Sequence, residues 1–203
     1  SLNLGPFPAL RGEILLPGSK SLSNRYLLLA ALSRGRTTLV DLLDSDDIRA
    51  MKGALSRLGV GLEQVSANSI AVTGIGGAGF ATPGEPLNLG NAGTAMRPLA
   101  AALCAAHGDF TLDGVQRMRE RPIGDLVDGL RPILADGASI EYAMNEGFPP
   151  LRIAARGFRG GRTRIKGNTS SQFLTGLLMA APLSPRPLEN EVEGGRISKP
   201  YIV

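Results

Sequence analysis

Three times along the chain a polar, glycine-bearing turn runs directly into an apolar, helix-forming stretch. The first start is Leu16-Pro17-Gly18-Ser19-Lys20-Ser21-Leu22-Ser23-Asn24-Arg25, with the apolar run 26–32 behind it. The second occupies residues 87–103, where Gly90 and Arg97 stand 72 residues beyond Gly18 and Arg25. The third opens at Gly167, 77 residues after Gly90, and passes through Ser170, Ser171 and Gln172 into the run 173–181. Self-similarity at a long spacing means that one supersecondary unit is reused, which restricts the fold more than any single motif does.

The signals between the starts repeat as well. Residues 13–16 read as a short strand broken by Pro17-Gly18, and residues 26–32 read as a buried helix, rich in helix formers and free of β-branched side chains. Residues 34–36 mark a helix stop and 37–40 a strand. Asp44, Ser45, Asp46 and Asp47 precede an amphipathic run over 48–58 that ends at Gly59; acidic residues at that place are read as helix capping rather than as functional carboxylates. Strands follow near 60–63 and 69–72. In the second unit, 110–113 repeats the strand, 121–130 repeats the second helix with Pro122 in its first turn, and 139–142 and 151–153 repeat the strand pair. In the third, 191–193 supplies the strand, and Ser198 stands where the second helix should begin.

Each unit thus reads as βαβαββ, with units over 12–75, 85–155 and 162–203 and the third cut short. The fold class expected is α/β, one domain over 1–203 made of about two and a half such units around a common axis. Its helices should face inward, because 27–32, 99–106 and 174–181 are apolar almost all round.

Units related by an axis bring their polar turns together at one end. That juxtaposes Lys20, Ser21 and Arg25 with Asn91, Gly93 and Thr94, and with Ser170, Ser171 and Gln172. Helix N-termini carry unpaired N–H groups and the positive end of the dipole, so they favour anions. Lys20 adds a mobile point charge and Arg25 a fork suited to carboxylate or phosphate. The expected site is a pocket for a small polyanion, with Gly93 placed where a β-carbon would intrude on the ligand.

Composition narrows the classes. A net charge of +4 and a pI near 9.6 suit anionic ligands. With no Trp, three Tyr, six Phe and no basic block, the chain offers a poor stacking platform, which argues against nucleic acid. Cys104 is the only cysteine and lies in an apolar run, so it reads as a small buried hydrophobe in a reducing compartment. A single histidine, His107, rules out the usual His/Cys metal site and a Ser-His-Asp triad. No apolar run approaches the roughly 20 residues of a bilayer span, and no signal peptide is evident, so the expectation is a cytoplasmic protein without a membrane role.

Six stretches taken together resemble the 5-enolpyruvylshikimate-3-phosphate synthase family. They are the first turn (16–25), Leu-Asp-Ser-Asp-Asp (43–47), Gly-Asn-Ala-Gly-Thr-Ala-Met-Arg-Pro (90–98), Arg-Met-Arg-Glu-Arg-Pro-Ile-Gly (117–124), Ser-Ser-Gln-Phe-Leu (170–174) and Ser-Lys-Pro-Tyr-Ile (198–202). The resemblance implies two domains, each of three βαβαββ units, of which this chain corresponds to the first, ending within its third unit. It implies transfer of the enolpyruvyl group of phosphoenolpyruvate to the 5-hydroxyl of shikimate-3-phosphate, in aromatic amino acid biosynthesis, without metal or organic cofactor. By the same resemblance Lys20 touches both substrates and serves catalysis, and Ser21 and Arg25 hold the shikimate carboxylate side. Ser170, Ser171 and Ser198 hold its phosphate, Gln172 lies between the ligands, and Tyr201 packs near the ring. Gly93 and Arg121 border phosphoenolpyruvate, with Asn91 and Thr94 shaping that wall. The proton-transferring carboxylates of the family belong to its second half, so a complementary second-half chain is an expected partner and this chain alone is not expected to turn over. Two rivals are a UDP-sugar enolpyruvyl transferase, which the Ser-Lys-Ser turn disfavours, and a non-catalytic anion-binding module.

Overall fold

The computed structural model of the chain describes residues 5–6, 9, 11–77, 79–167 and 170–194. Its first unit comprises α1 (Lys20–Leu32), β1 (Arg34–Leu39), α2 (Asp46–Arg57), β2 (Gly61–Ser66) and β3 (Ser69–Ile75). β3 lies between β1 and β2 and runs antiparallel to both, with Arg34 opposite Ile75 and Gly61 opposite Thr73. The second unit comprises β4 (Leu87–Asn88), α3 (Gly93–Cys104), β5 (His107–Asp113), α4 (Gly124–Leu130), β6 (Ser139–Tyr142) and β7 (Leu151–Arg156). Its sheet order is β4-β5-β7-β6, with β4 parallel to β5 and the other pairs antiparallel. The third comprises β8 (Gly161–Lys166), α5 (Ser171–Ala180) and β9 (Leu188–Glu193), the two strands pairing in parallel.

In the second and third units the strand before the first helix therefore lies parallel to the strand after it, and the helix is the crossover that parallel pairing demands. The first unit departs from this plan. Residues 13–16 form no strand, and Ile14, Leu15 and Leu16 are 85%, 97% and 79% exposed. An extended apolar segment becomes a strand only when a neighbour takes its backbone groups, and among the described residues β1 pairs with β3 alone. Two further boundaries differ from the sequence reading. β1 begins at Arg34, because Gly35 already sits in the ladder opposite Gly74, so residues 34–36 are strand rather than helix stop. The second helix of unit two begins at Gly124, not around Pro122. Arg121, preceding a proline, is held extended at φ −98° and ψ 123°, and this delays the helix past the proline.

Packing places helices inside and sheets outside. α3 is the central element: every residue from Ala95 to Cys104 is buried, and it packs against both α1 and α5. Ile70 and Val72 from β3, Phe110 and Leu112 from β5, Ile153 from β7 and Ile165 from β8 close over the helices. α1 buries Leu27, Leu28, Ala30, Ala31 and Leu32 but leaves Leu22, Tyr26 and Leu29 exposed along one stripe. No helix among the described residues is long and apolar enough to cross a membrane.

The first turn is fixed by sterics. A β-carbon on Gly18 would lie 1.9 Å from the carbonyl oxygen of Asp41, so only glycine lets the chain pass there on its way into α1. Ser19 then caps the helix, accepting from the Leu22 N–H at 3.4 Å.

Candidate functional site

The entries of α1, α2, α3 and α5 surround one cavity of about 670 Å³. Of the residues picked out in the sequence, Lys20, Ser21, Asn91, Thr94, Arg121 and Gln172 line it. Arg25, Gly93, Ser170 and Ser171 lie beside these on the same helix entries. Ser198 and Tyr201 fall outside the described residues.

Lys20 opens α1, and its Nζ stands 3.5 Å from Oδ2 of Asp47 in the first turn of α2. The same carboxylate oxygen accepts from the Thr94 hydroxyl at 2.6 Å, and that hydroxyl accepts from Nδ2 of the fully buried Asn24 at 2.8 Å. This chain of contacts ties the first two units together at the cavity. It also corrects the capping reading of the acidic cluster. Asp44 and Asp46 pair with Arg49 at the surface, and Asp46 also borders the cavity, whereas Asp47 bonds across it to Thr94 and Lys20. Sequence spacing could not separate the three, because residues in the first turn of a helix serve its dipole whichever way their side chains lean. The Lys20 and Asp47 side chains are 47% and 18% exposed, so the pair is partly solvated and worth little as a stability term. Its consequence is orientation, a cation held at the rim.

The second entry concentrates positive charge. Arg121 Nη1 donates to the Asn91 carbonyl at 2.8 Å and to its side-chain oxygen at 3.3 Å, which draws the guanidinium across the start of α3. A β-carbon on Gly93 would come within 2.6 Å of both Arg121 Nη2 and Arg97 Nη1. The glycine therefore makes room for two guanidinium groups of the protein itself. The loop carrying Arg121 is braced below by Asp113, which accepts from Arg119 at 3.0 and 2.6 Å and from the Gly114 N–H at 2.7 Å. Burial pushes the Asp113 carboxyl up, but these donors outweigh it and hold its pKa below the ordinary value.

At the third entry, Ser170 caps α5 by accepting from the Gln172 N–H at 3.2 Å. The Gln172 side-chain oxygen accepts from Arg97 Nη1 at 2.7 Å. Arg25 spans the remaining gap, donating to the Ser21 carbonyl at 2.9 Å and to the Thr175 hydroxyl on α5 at 3.2 Å. Chemically the cavity offers three helix N-termini, an ammonium and a guanidinium to anions. Among the described residues, only Asp46 and Asp47 bring negative charge to its wall. Cys104 takes no part: it is fully buried in α3, and burial pushes its thiol up to about 12. Among the described residues no three His, Cys, Asp or Glu side chains gather as a metal site requires.

The profile of the family described as EPSP synthase (3-phosphoshikimate 1-carboxyvinyltransferase) matches residues 6–203. The chain belongs to the EPSP synthase family. Curated relatives named 3-phosphoshikimate 1-carboxyvinyltransferase agree. One from Shewanella sp. (strain MR-7) is 56% identical over 99% of this chain and 47% of its own length. One from Ralstonia nicotianae is 57% identical over 99% of this chain and 46% of its own length. Among solved structures, EPSP synthase from Acinetobacter baumannii superposes with a TM-score of 0.82 at 26% identity, over 94% of this chain and 42% of that chain. The fold described above is thus the EPSP synthase fold, and the chain spans about half the length of the curated relatives it matches.

Proposed function

We propose that this chain forms the shikimate-3-phosphate-binding half of an enzyme that moves the enolpyruvyl group of phosphoenolpyruvate onto the 5-hydroxyl of shikimate-3-phosphate. The observation that carries this reading is the convergence of three repeated helix entries, with Lys20, Arg121 and Gln172, on one cavity. Both substrates carry a phosphate and a carboxylate, and a cavity rich in helix N-termini and cations suits four anionic groups. Ser21 and Arg25 take the shikimate carboxylate side, Ser170, Ser171 and Ser198 its phosphate, and Tyr201 its ring. Gln172 lies between the ligands, and Asn91, Gly93, Thr94 and Arg121 form the phosphoenolpyruvate wall. Lys20 touches both substrates, and Asp47 keeps its ammonium aimed into the cavity.

In the reaction, the 5-hydroxyl oxygen bonds to C2 of phosphoenolpyruvate and gives up its proton, while the methylene C3 takes one. Loss of phosphate from C2 and of a proton from C3 then restores the double bond. Lys20 can move one of these protons. General acid–base groups must lie within hydrogen-bond reach of the reacting atoms, and Asp47 is committed to Thr94 and Lys20. The remaining proton carriers come from a second-half chain or segment, which also shuts the cavity from water, where electrostatic stabilisation is strongest. With a single cysteine the chain can form no internal disulfide, and it suits the cytoplasm. A UDP-sugar substrate is disfavoured by the burial of Cys104, which no reagent or ligand in the cavity reaches.

The test is calorimetry followed by a phosphate-release assay. The chain should bind shikimate-3-phosphate, release no phosphate from phosphoenolpyruvate by itself, and gain activity on mixing with a second-half fragment. Lys20→Met should abolish the activity so gained. Absence of shikimate-3-phosphate binding would refute the assignment.

A further inference from the structure

Arg97 is the one charged side chain in the all-buried stretch of α3, and only 6% of it is exposed. Elsewhere arginines such as Arg36, Arg119 and Arg162 lie nearer the surface with a carboxylate close by. Among the described residues no carboxylate lies within ion-pair distance of Arg97. Its Nη1 donates to Gln172 at 2.7 Å and its Nη2 to the Pro122 carbonyl at 3.0 Å, while its Nε has no partner among the described residues. The guanidinium sits 5.3 Å from the centre of the Phe173 ring. The formal charge facing it across Gly93 is another cation, Arg121. Burial strips water from Arg97 and Arg121 repels it, so its pKa falls to about 10, which leaves it charged at neutral pH. A buried charge without a counter-ion is costly, and an apolar side chain of similar volume would stabilise the fold better. The chain nevertheless keeps this charge one layer beneath the cavity.

We propose that Arg97 is a positioning residue for anion binding: it turns the Gln172 amide so that its NH₂ group faces the cavity as a donor, and its own buried charge takes the bound anion as counter-ion. Gln172 lines the cavity, and its oxygen is already committed to Arg97. Its nitrogen is then the atom left to meet a ligand, and a nitrogen donor selects phosphate or carboxylate oxygens. Arg121 meets the anion directly, whereas Arg97 acts through Gln172 and through a field little screened by water. This inference deepens the substrate-site reading above and rests on it.

The experiment pairs thermal unfolding with calorimetry on the whole chain, using shikimate-3-phosphate, phosphoenolpyruvate added to the shikimate-3-phosphate-loaded chain, and inorganic phosphate as probes. Arg97→Met should melt at or above the wild-type temperature while its affinity for phosphoenolpyruvate falls at least tenfold. Arg97→Lys keeps the charge, loses the fork and should fall less. In a Gln172→Leu background the further loss on Arg97→Met should shrink, since the amide it orients is gone. A lower melting temperature with unchanged affinity for Arg97→Met would make Arg97 merely structural and overturn the proposal. Full additivity with Gln172→Leu would overturn it as well. If Arg97→Met does not fold, wild-type affinity in Arg97→Gln, which removes the charge but keeps a polar side chain, is the overturning result. If the wild type binds inorganic phosphate but neither substrate, the substrate reading fails; the inference then stands on loss of phosphate binding in Arg97→Met. If both substrates bind equally well with and without Arg97, the inference fails and the substrate reading survives.

Discussion

Helices α1 and α3 hold equivalent places in successive repeats, down to the matching arginines Arg25 and Arg97, yet their surroundings differ. α3 lies between α1 and α5 and is covered all round, whereas α1 leaves Leu22, Tyr26 and Leu29 in solvent. Their cations follow the same division. On α1, Lys20 sits at the rim with a carboxylate of its own, and Arg25 stretches from the Ser21 carbonyl to Thr175. On α3, Arg97 is buried with no carboxylate in ion-pair reach among the described residues. A repeat therefore copies backbone geometry, while the neighbours around each copy decide burial and, through burial, what a charge at a given position can do.

The largest effect that tests this division is in the core. Leu99→Ala on α3 should destabilise the chain by about 2–5 kcal/mol, against about 0.5 kcal/mol or less for Leu29→Ala on α1. Urea unfolding of the two variants side by side checks it; equal losses would erase the contrast between the helices. Next in size is Arg25→Ala, expected to weaken shikimate-3-phosphate binding by about 1.5–3 kcal/mol, the loss of a charge-assisted contact. Equal calorimetric affinity with and without that side chain would reduce Arg25 to a brace between α1 and α5. Gly93→Ala should act more selectively. Its methyl group must displace two guanidinium groups, so phosphoenolpyruvate affinity should drop about tenfold, near 1.4 kcal/mol, while shikimate-3-phosphate affinity holds. Equal losses for both ligands would indicate a folding defect at the turn. The smallest effect is a null one: Cys104 in α3 should resist thiol reagents in the native chain and react only on unfolding. Rapid native labelling would show that α3 is less enclosed than described.

Much of this plan was legible in the sequence because it is carried by periodicity. The three helix starts, their shared spacing and the meeting of their polar turns need only local propensity and the logic of repetition. Residues 13–16 show where that logic stops. Their apolar, extended character is real, but a strand is a property of a pair of segments, and no local pattern says that β1 will pair with β3 alone among the described residues. The acidic cluster failed differently: Asp44, Asp46 and Asp47 satisfy the same capping rule, and only three-dimensional placement separates Asp47 from the surface pairs. At Gly93 the repeat signals a crowded turn, but which protein groups crowd it, Arg97 and Arg121, only the packing of the second unit shows. Arg97 itself had a visible signal, a lone charge opening an unbroken apolar run, which the match to Arg25 explained away.

The parallel pair β8 and β9 carries a further consequence, for the response to salt. β9 presents Glu189, Glu191 and Glu193, and β8 answers with Arg162 at 2.7 Å from Glu189 and Arg164 at 3.0 Å from Glu191. The outer side of β9 has no strand beside it among the described residues. Each of these glutamates is matched by an arginine across the strand pair, and because the ion pairs are exposed they are open to screening by salt. Their attraction has a range, about 10 Å at 0.1 M salt and about 3 Å at 1 M. Raising salt should accordingly loosen the β8–β9 pair while the buried helices hold, which amide exchange on the two strands would read out.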